Sequence, residues 1–228
     1  MAPKITQRDN FIWLFFALIF LLFSGAIFAQ FDSELGQRLV NFSLTITMLI
    51  AVWSMERKQA SWFNFKLGMS LVIASLLIGD IVLGDDRLAN VQLIIAFSFL
   101  SLTTWLACRQ IIFSGHVDIN KIIGAICIYM LLGIIWAFAY LLVENLFPGS
   151  MNGLDYQEWQ LNLEDMIYYS MVTLTTLGYG DITPDQPLVR FLAYMEAITG
   201  IFYTTILVAS LIGVRLAEYI PGENKTED

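Results

Sequence analysis

The sequence predicts an all-α membrane protein: six helices that cross the bilayer, and one shorter helix that enters it and returns. Three observations lead there. The 228 residues are 57% hydrophobic and only 14% charged, with a mean hydropathy of +0.68, a balance foreign to soluble globular domains. Apolar runs recur at lengths near the ~20 residues a helix needs to cross ~30 Å of hydrocarbon. One further apolar run, Met166 to Leu177, is too short to cross and lies inside the longest connection of the chain.

In order, the expected spans are Phe11 to Ala29, Leu39 to Met55, Leu67 to Leu83, Asn90 to Phe113, Lys121 to Leu146 and Leu188 to Glu218. The first follows Lys4 and Arg8 as a secretory leader would, but it is as long as a full span and is assigned as a retained helix. Polar or glycine-bearing stretches separate the spans. Lys and Arg set the orientation. With the N-terminus inside, nine of them (Lys4, Arg8, Arg57, Lys58, Lys66, Arg109, Lys121, Arg215, Lys225) face the cytoplasm and three (Arg38, Arg87, Arg190) face outward. Both termini are therefore expected in the cytoplasm of a cell with this protein in its plasma or inner membrane.

The segment from Phe147 to Pro187 departs from this pattern of short connections. Asn162 is expected to cap a half-membrane helix whose first turn carries Glu164 and Asp165, both favourable at a positive helix end. A re-entrant helix is tolerated where protein or water covers its exposed backbone.

That half-helix runs into Thr173-Leu174-Thr175-Thr176-Leu177-Gly178-Tyr179-Gly180-Asp181. Glycine at 178 and 180 permits backbone angles closed to other residues, so that successive carbonyls can face one way. The stretch resembles the selectivity filter of the potassium-channel family, with leucine at 177 where valine is usual. The resemblance covers roughly Asp118 to Glu218 and implies a filter in which the Thr176 hydroxyl and the carbonyls of Thr176, Leu177, Gly178 and Tyr179 hold dehydrated K⁺, followed by Gly180. It implies that Tyr179 points away from the pore and that Asp181 bonds Tyr168, which stands where many relatives carry tryptophan. Val172, where some bacterial relatives have a glutamate, and Thr175 complete the expected filter support. One chain supplies one filter strand, so the resemblance implies a homotetramer with three identical partner subunits, in contact with membrane lipids.

Gly200 lies 19 residues beyond Asp181, where the family places its gating hinge. Continuing at helical spacing, Ile201, Thr204, Val208, Ile212 and Leu216 form one stripe. Either it lines the cavity and its inner mouth or it packs on the fifth helix. The expected organisation is a four-helix unit over 1–117, a pore domain over 118–220 and a short tail over 221–228.

Between Lys121 and Arg190 the chain has no Lys or Arg, whereas Glu144, Asp155, Glu158, Glu164, Asp165, Asp181 and Asp185 are present. They form either a cation-concentrating mouth or a merely solvated loop. Glu196, an ionisable group inside an apolar helix, is either a protonation-sensitive contact behind the filter or a hydrogen bond to a neighbouring helix. His116 falls in a cytoplasmic connection, and Cys108 and Cys127 lie in apolar runs without metal-ligand spacing. The net charge of −8 is spread over the connections and names no partner. No nucleotide loop, zinc pattern, paired nucleophile or basic nucleic-acid stripe is present, so enzyme and nucleic-acid readings have no support, and no organic cofactor is expected. Against a passive potassium conduit stand a non-conducting regulatory membrane subunit and a weakly selective cation channel.

Voltage-gated relatives carry a basic residue at every third position of the fourth helix. Here that helix has Arg109 near its cytoplasmic end, and stepping back by three gives Leu106, Thr103 and Leu100. Each charge crossing the field supplies about 2.3 kcal/mol per 100 mV, and steep gating takes roughly three to four per subunit. Macroscopic conductance in symmetric potassium is therefore expected to vary only shallowly from about −120 to about +120 mV. A steep sigmoid that persists after Arg109→Gln would contradict this.

Overall fold

A computed structural model describes residues 10–28, 34–53, 64, 68, 71–72, 75, 86–112, 119–154 and 159–219. Most of the expected third span (all but 68, 71–72 and 75), the terminal tail over 221–228, His116, Asp155 and Glu158 fall outside the described residues. The chain is mostly helical. Helix α1 (Asn10–Phe28) and α2 (Glu34–Trp53) are followed by α3 (Asp86–Ile112) and α4 (Ile119–Leu146). Then come strand β1 (Met151–Asn152), the short helix α5 (Leu163–Leu174), strand β2 (Thr183–Pro184) and the long helix α6 (Pro187–Tyr219).

Two segments, Asn90–Arg109 of α3 and Asn120–Leu146 of α4, are long and apolar enough to cross a membrane, and Phe11–Ile27 and Phe42–Ala51 are shorter apolar helices. At 1.5 Å per residue α5, with 12 residues, spans roughly 18 Å, about half a bilayer core.

One apolar cluster runs through the described helices. Leu14 and Leu18 of α1, Leu44 and Met48 of α2 and Leu93 and Phe99 of α3 join Leu131, Ile134 and Phe138 of α4 and Met166 and Ile167 of α5. Helix α1 lies against α4 of its own chain, where the Phe11 amide donates to Asn120 Oδ1 at 3.3 Å. Gly124 sits beside that contact, where a Cβ would stand 2.8 Å from the end of the Ile111 side chain on α3 and 3.0 Å from the Phe11 ring. Gly133, further along α4, likewise admits Met171 of α5, which a Cβ would meet at 2.7 Å. Arg109, in the last turn of α3, rests over the Trp105 ring at 5.7 Å.

The connection between α4 and α5 is built around a carboxylate. Glu144 is buried near the end of α4. Its Oε1 accepts the Gly149 amide at 2.7 Å, and its Oε2 accepts the Ser150 hydroxyl at 2.6 Å and the Met151 amide at 3.1 Å. The turn so formed delivers β1 to β2 in an antiparallel pair, Met151 opposite Pro184 and Asn152 opposite Thr183. Gly153, at φ 86°, follows directly, and a Cβ on it would lie 2.2 Å from the Asp181 carbonyl oxygen. The acidic-mouth reading is corrected here for Glu144: its oxygens are committed to the turn and it does not face a solvent-filled entrance.

Glu144→Ala is expected to destabilise the protein by about 1–3 kcal/mol, since it strands buried donors of the turn. A fall in the thermal unfolding midpoint of the detergent-solubilised protein checks this, and an unchanged midpoint would contradict it.

Candidate functional site

The short helix stops in a specific way. The Thr175 amide donates to Met171 O at 3.1 Å, the Thr176 amide to Thr173 O at 3.0 Å and the Leu177 amide to Val172 O at 2.9 Å. The last two bonds are the 5→2 and 6→1 pair of a Schellman turn, in which the residue just past the helix takes the left-handed conformation. That residue is Thr176, at φ 60°, the one non-glycine described with positive φ. Threonine in this region costs about 1–2 kcal/mol relative to the right-handed conformation, so the neighbouring bonds must hold it there. The Thr175 hydroxyl adds a bond back to Met171 O at 2.7 Å.

Beyond the turn, Gly178 has φ 59° and Gly180 φ 83°. Positive φ thus falls at 176, 178 and 180, while Leu177 and Tyr179 between them lie outside the positive-φ set. Such alternation lets consecutive peptide carbonyls turn to one side of the strand. Neither glycine has any atom within 4 Å of a built Cβ, so conformation and not space demands glycine there.

The strand is braced on its other side by aromatic and carboxylate groups. Tyr168 of α5 donates its hydroxyl to Asp181 Oδ2 at 2.6 Å. Asp181 Oδ1 accepts the Ile182 amide at 3.0 Å. The Tyr179 ring stacks on Tyr168 with centroids 6.5 Å apart and planes 7° from parallel. Tyrosine at 168 therefore makes the expected bond to Asp181. The phenol hydrogen bond holds the Asp181 carboxyl below the usual carboxylate range, aided by its backbone amide contacts. Val172 takes part through its backbone carbonyl, which accepts from Leu177, while its side chain is buried.

Asn162 occupies the N-cap position but makes no side-chain cap bond. Its backbone is already helical there, at φ −83° and ψ −1°, which turns the side chain away from the cap geometry. The expected favourable acids, Glu164 and Asp165, do lie in the first turn. The apolar run ends three residues later than the helix does, because Thr175, Thr176 and Leu177 leave it to form the turn and strand.

On α6, Gly200 is buried and in close contact with the helix end: a Cβ on it would lie 2.0 Å from the Leu174 carbonyl oxygen. The helix runs through Gly200 without a break. The same carbonyl accepts the Tyr129 hydroxyl of α4 at 3.2 Å. Ile201 is exposed, and the Thr204 hydroxyl turns back on Gly200 O and Ile201 O at 3.0 Å each. Val208, Ile212 and Leu216 lie within the range of α6, and their side chains fall outside the described ones.

Sequence reasoning missed Tyr129, Tyr140, Ser170 and Gly153 as parts of this region. The hydroxyls in an otherwise apolar helix were an available signal for the first three. Gly153 had none, because the carbonyl it accommodates comes from a residue far along the chain.

Residues 124–214 match a family described as ion channel. Over 99 residues the chain is 30% identical to the inward rectifier potassium channel Kirbac3.1 of Paramagnetospirillum magnetotacticum, covering 42% of this chain and 29% of the relative. Over 88 residues it is 31% identical to a voltage-gated potassium channel of Aeropyrum pernix, covering 39% of this chain and 26% of that one. The chain spans less than a third of the length of either relative. No solved structure matches it with significance.

Removing the phenol oxygen isolates its effect on Asp181. Because the folded carboxyl is held below its unfolded value, the bond contributes fully above the ordinary carboxylate range and is lost as pH falls through the lower folded value. In Tyr168→Phe, Asp181 is expected to titrate at a higher pH than in the parent, and the part of the acid-side loss of stability that this carboxyl contributes should shrink. Side-chain carboxyl titration by NMR checks this, and an unmoved Asp181 would refute the bond's role.

Proposed function

We propose that this chain is the subunit of a potassium-selective channel in which four identical copies surround a central axis and each contributes the strand Thr176 to Gly180. The observation that carries the reading is the alternation of positive φ at 176, 178 and 180 immediately after a half-length helix. Carbonyls of Thr176, Leu177, Gly178 and Tyr179 then replace the hydration shell of K⁺, with the Thr176 hydroxyl as the innermost ligand. Potassium is the cargo, and no organic cofactor enters the reading.

The ion-channel match and the two potassium-channel relatives support an ion channel in a membrane, with K⁺ as its ion. Electrostatics support it too. The C-terminal end of α5, carrying roughly half a negative elementary charge, lies at the base of the strand, where a cation would be stabilised. Tyr168, Thr175, Val172 and Asp181 hold the strand from behind, and Gly200 seats α6 against the helix end at Leu174. In this reading Ile201, Thr204, Val208, Ile212 and Leu216 face the cavity, and Gly200 doubles as the point where α6 bends on gating. Exposed apolar residues of α6, among them Phe191, Ile198, Phe202 and Ile206, are available to neighbouring subunits and to lipid. The four-helix unit acts as a collar or as a sensor of a stimulus other than voltage.

Reconstituted into liposomes under opposed potassium and sodium gradients, the protein is expected to hold a reversal potential close to that of potassium. A reversal potential near zero favours the weakly selective alternative, and absence of current favours the non-conducting one. Gly178→Ala is expected to abolish selective current while assembly persists, since the added Cβ penalises φ 59°. Normal selectivity in that variant would overturn the assignment.

A further inference from the structure

Behind the strand, three helices meet at a buried polar knot. Glu196 of α6, Tyr140 of α4 and Ser170 of α5 each have 0% exposure. The Tyr140 hydroxyl donates to Glu196 Oε2 at 2.5 Å. Ser170 Oγ lies within hydrogen-bonding reach of Glu196 Oε1 and also of the Gly133 carbonyl oxygen, the latter at 2.6 Å. A serine hydroxyl carries one proton and cannot donate to both.

One arrangement satisfies every contact. Tyr140 donates to Oε2, a proton on Oε1 donates to Ser170 Oγ, and the Ser170 proton goes to Gly133 O. It needs Glu196 to be a neutral carboxylic acid. Were Glu196 ionised, either Gly133 or Oε1 would lose its donor and a carboxylate would stand in apolar surroundings with only neutral partners, a far costlier state. The titratable groups facing it are phenols. Tyr140 and Tyr129 approach from α4 and Tyr169 from α5, its ring 5.0 Å from that of Tyr140. Among the described residues no cation pairs with Glu196.

We propose that Glu196 is a proton-bearing positioning residue for the filter: its neutral carboxyl fastens α6 and α4 to Ser170 of the half-length helix, and its ionisation unfastens them. The proposal rests on the channel reading above. Ser170 lies one turn before Leu174, whose carbonyl is packed by Gly200 and bonded by Tyr129, so the same three helices grip the half-length helix in two layers. Loss of the Ser170 link loosens the helix whose last turn sets Thr176 in its left-handed conformation. Raising pH removes the proton and therefore weakens the grip.

Glu196→Gln provides the test, because an amide donates to Ser170 Oγ and accepts from Tyr140 as the acid does, yet cannot ionise. In proteoliposomes, potassium flux through the parent is expected to fall as pH rises, whereas Glu196→Gln keeps the flux and loses its pH dependence, and Glu196→Ala loses flux altogether. Infrared difference spectra of the purified parent and Glu196→Gln at neutral pH are expected to show a protonated-carboxyl C=O band that the substitution removes, a reading that needs no conduction. A band unchanged by the substitution, or Glu196→Gln without flux beside a conducting parent, overturns the proposal alone. A parent without flux overturns the channel reading and the positioning role with it, while the infrared band still decides whether Glu196 carries the proton.

Discussion

The arrangement of the site depends on where the half-length helix stops. Were α5 to continue past Leu174, the residues after it would keep negative φ and their carbonyls would stay folded into helical bonds. The Schellman pair from Thr176 and Leu177 back to Thr173 and Val172 ends the helix at a fixed point and reverses the handedness of the chain at Thr176. Since threonine is strained there, the geometry survives only where the helix end is immobilised from outside. The Leu174 carbonyl, closed in by Gly200 and bonded by Tyr129, is the surface on which that immobilisation acts.

The material around the helix end is polar in a particular way. Hydroxyls of Tyr129, Tyr140, Ser170 and Tyr203 each reach a carbonyl or carboxyl oxygen on another helix. In an apolar medium a hydroxyl satisfies a stray acceptor without importing charge, which accounts for the dominance of such groups where the helices are closest. Glu196 fits this company as a neutral acid and not as an anion. At Gly200 the helices approach closely enough that a Cβ would meet the Leu174 carbonyl itself.

On the far side of the strand the logic changes. Glu144 gathers two amides and a hydroxyl into a tight turn, the turn presents Gly153 to the Asp181 carbonyl, and Asp181 in turn takes the Tyr168 phenol. An acid buried at the end of α4 is thereby connected, through two strand residues and a glycine, to the strand that begins at Thr176. Arg190, with its guanidinium 3.6 Å from Asp185 and bonded to Pro184 O, secures the start of α6 on the same side.

Much of this was legible in the residue order, because it follows from local properties. Apolar runs placed α1, α2, α3, α4 and α6 to within a few residues, as hydrophobic length alone requires. The short run before Gly178-Tyr179-Gly180 identified a half-length helix and a strand with unusual backbone angles, since glycine spacing is a direct record of conformational demand. What local reading could not reach were outcomes of pairing. The helix end at Leu174 rather than Leu177 depends on bonds whose geometry no composition records, and the Asn162 side chain lost its expected cap because the backbone there was already helical. Glu144 read as one acid among several in a polar loop until folding enclosed it among donors. Glu196 read as a costly charge with two open roles, and only the convergence of Tyr140 and Ser170 from two other helices decided that it is a hydrogen-bonded group at their junction. Partners far apart in the chain meet only when helices pack, so the sequence determined which groups exist and the tertiary structure determined which of them touch.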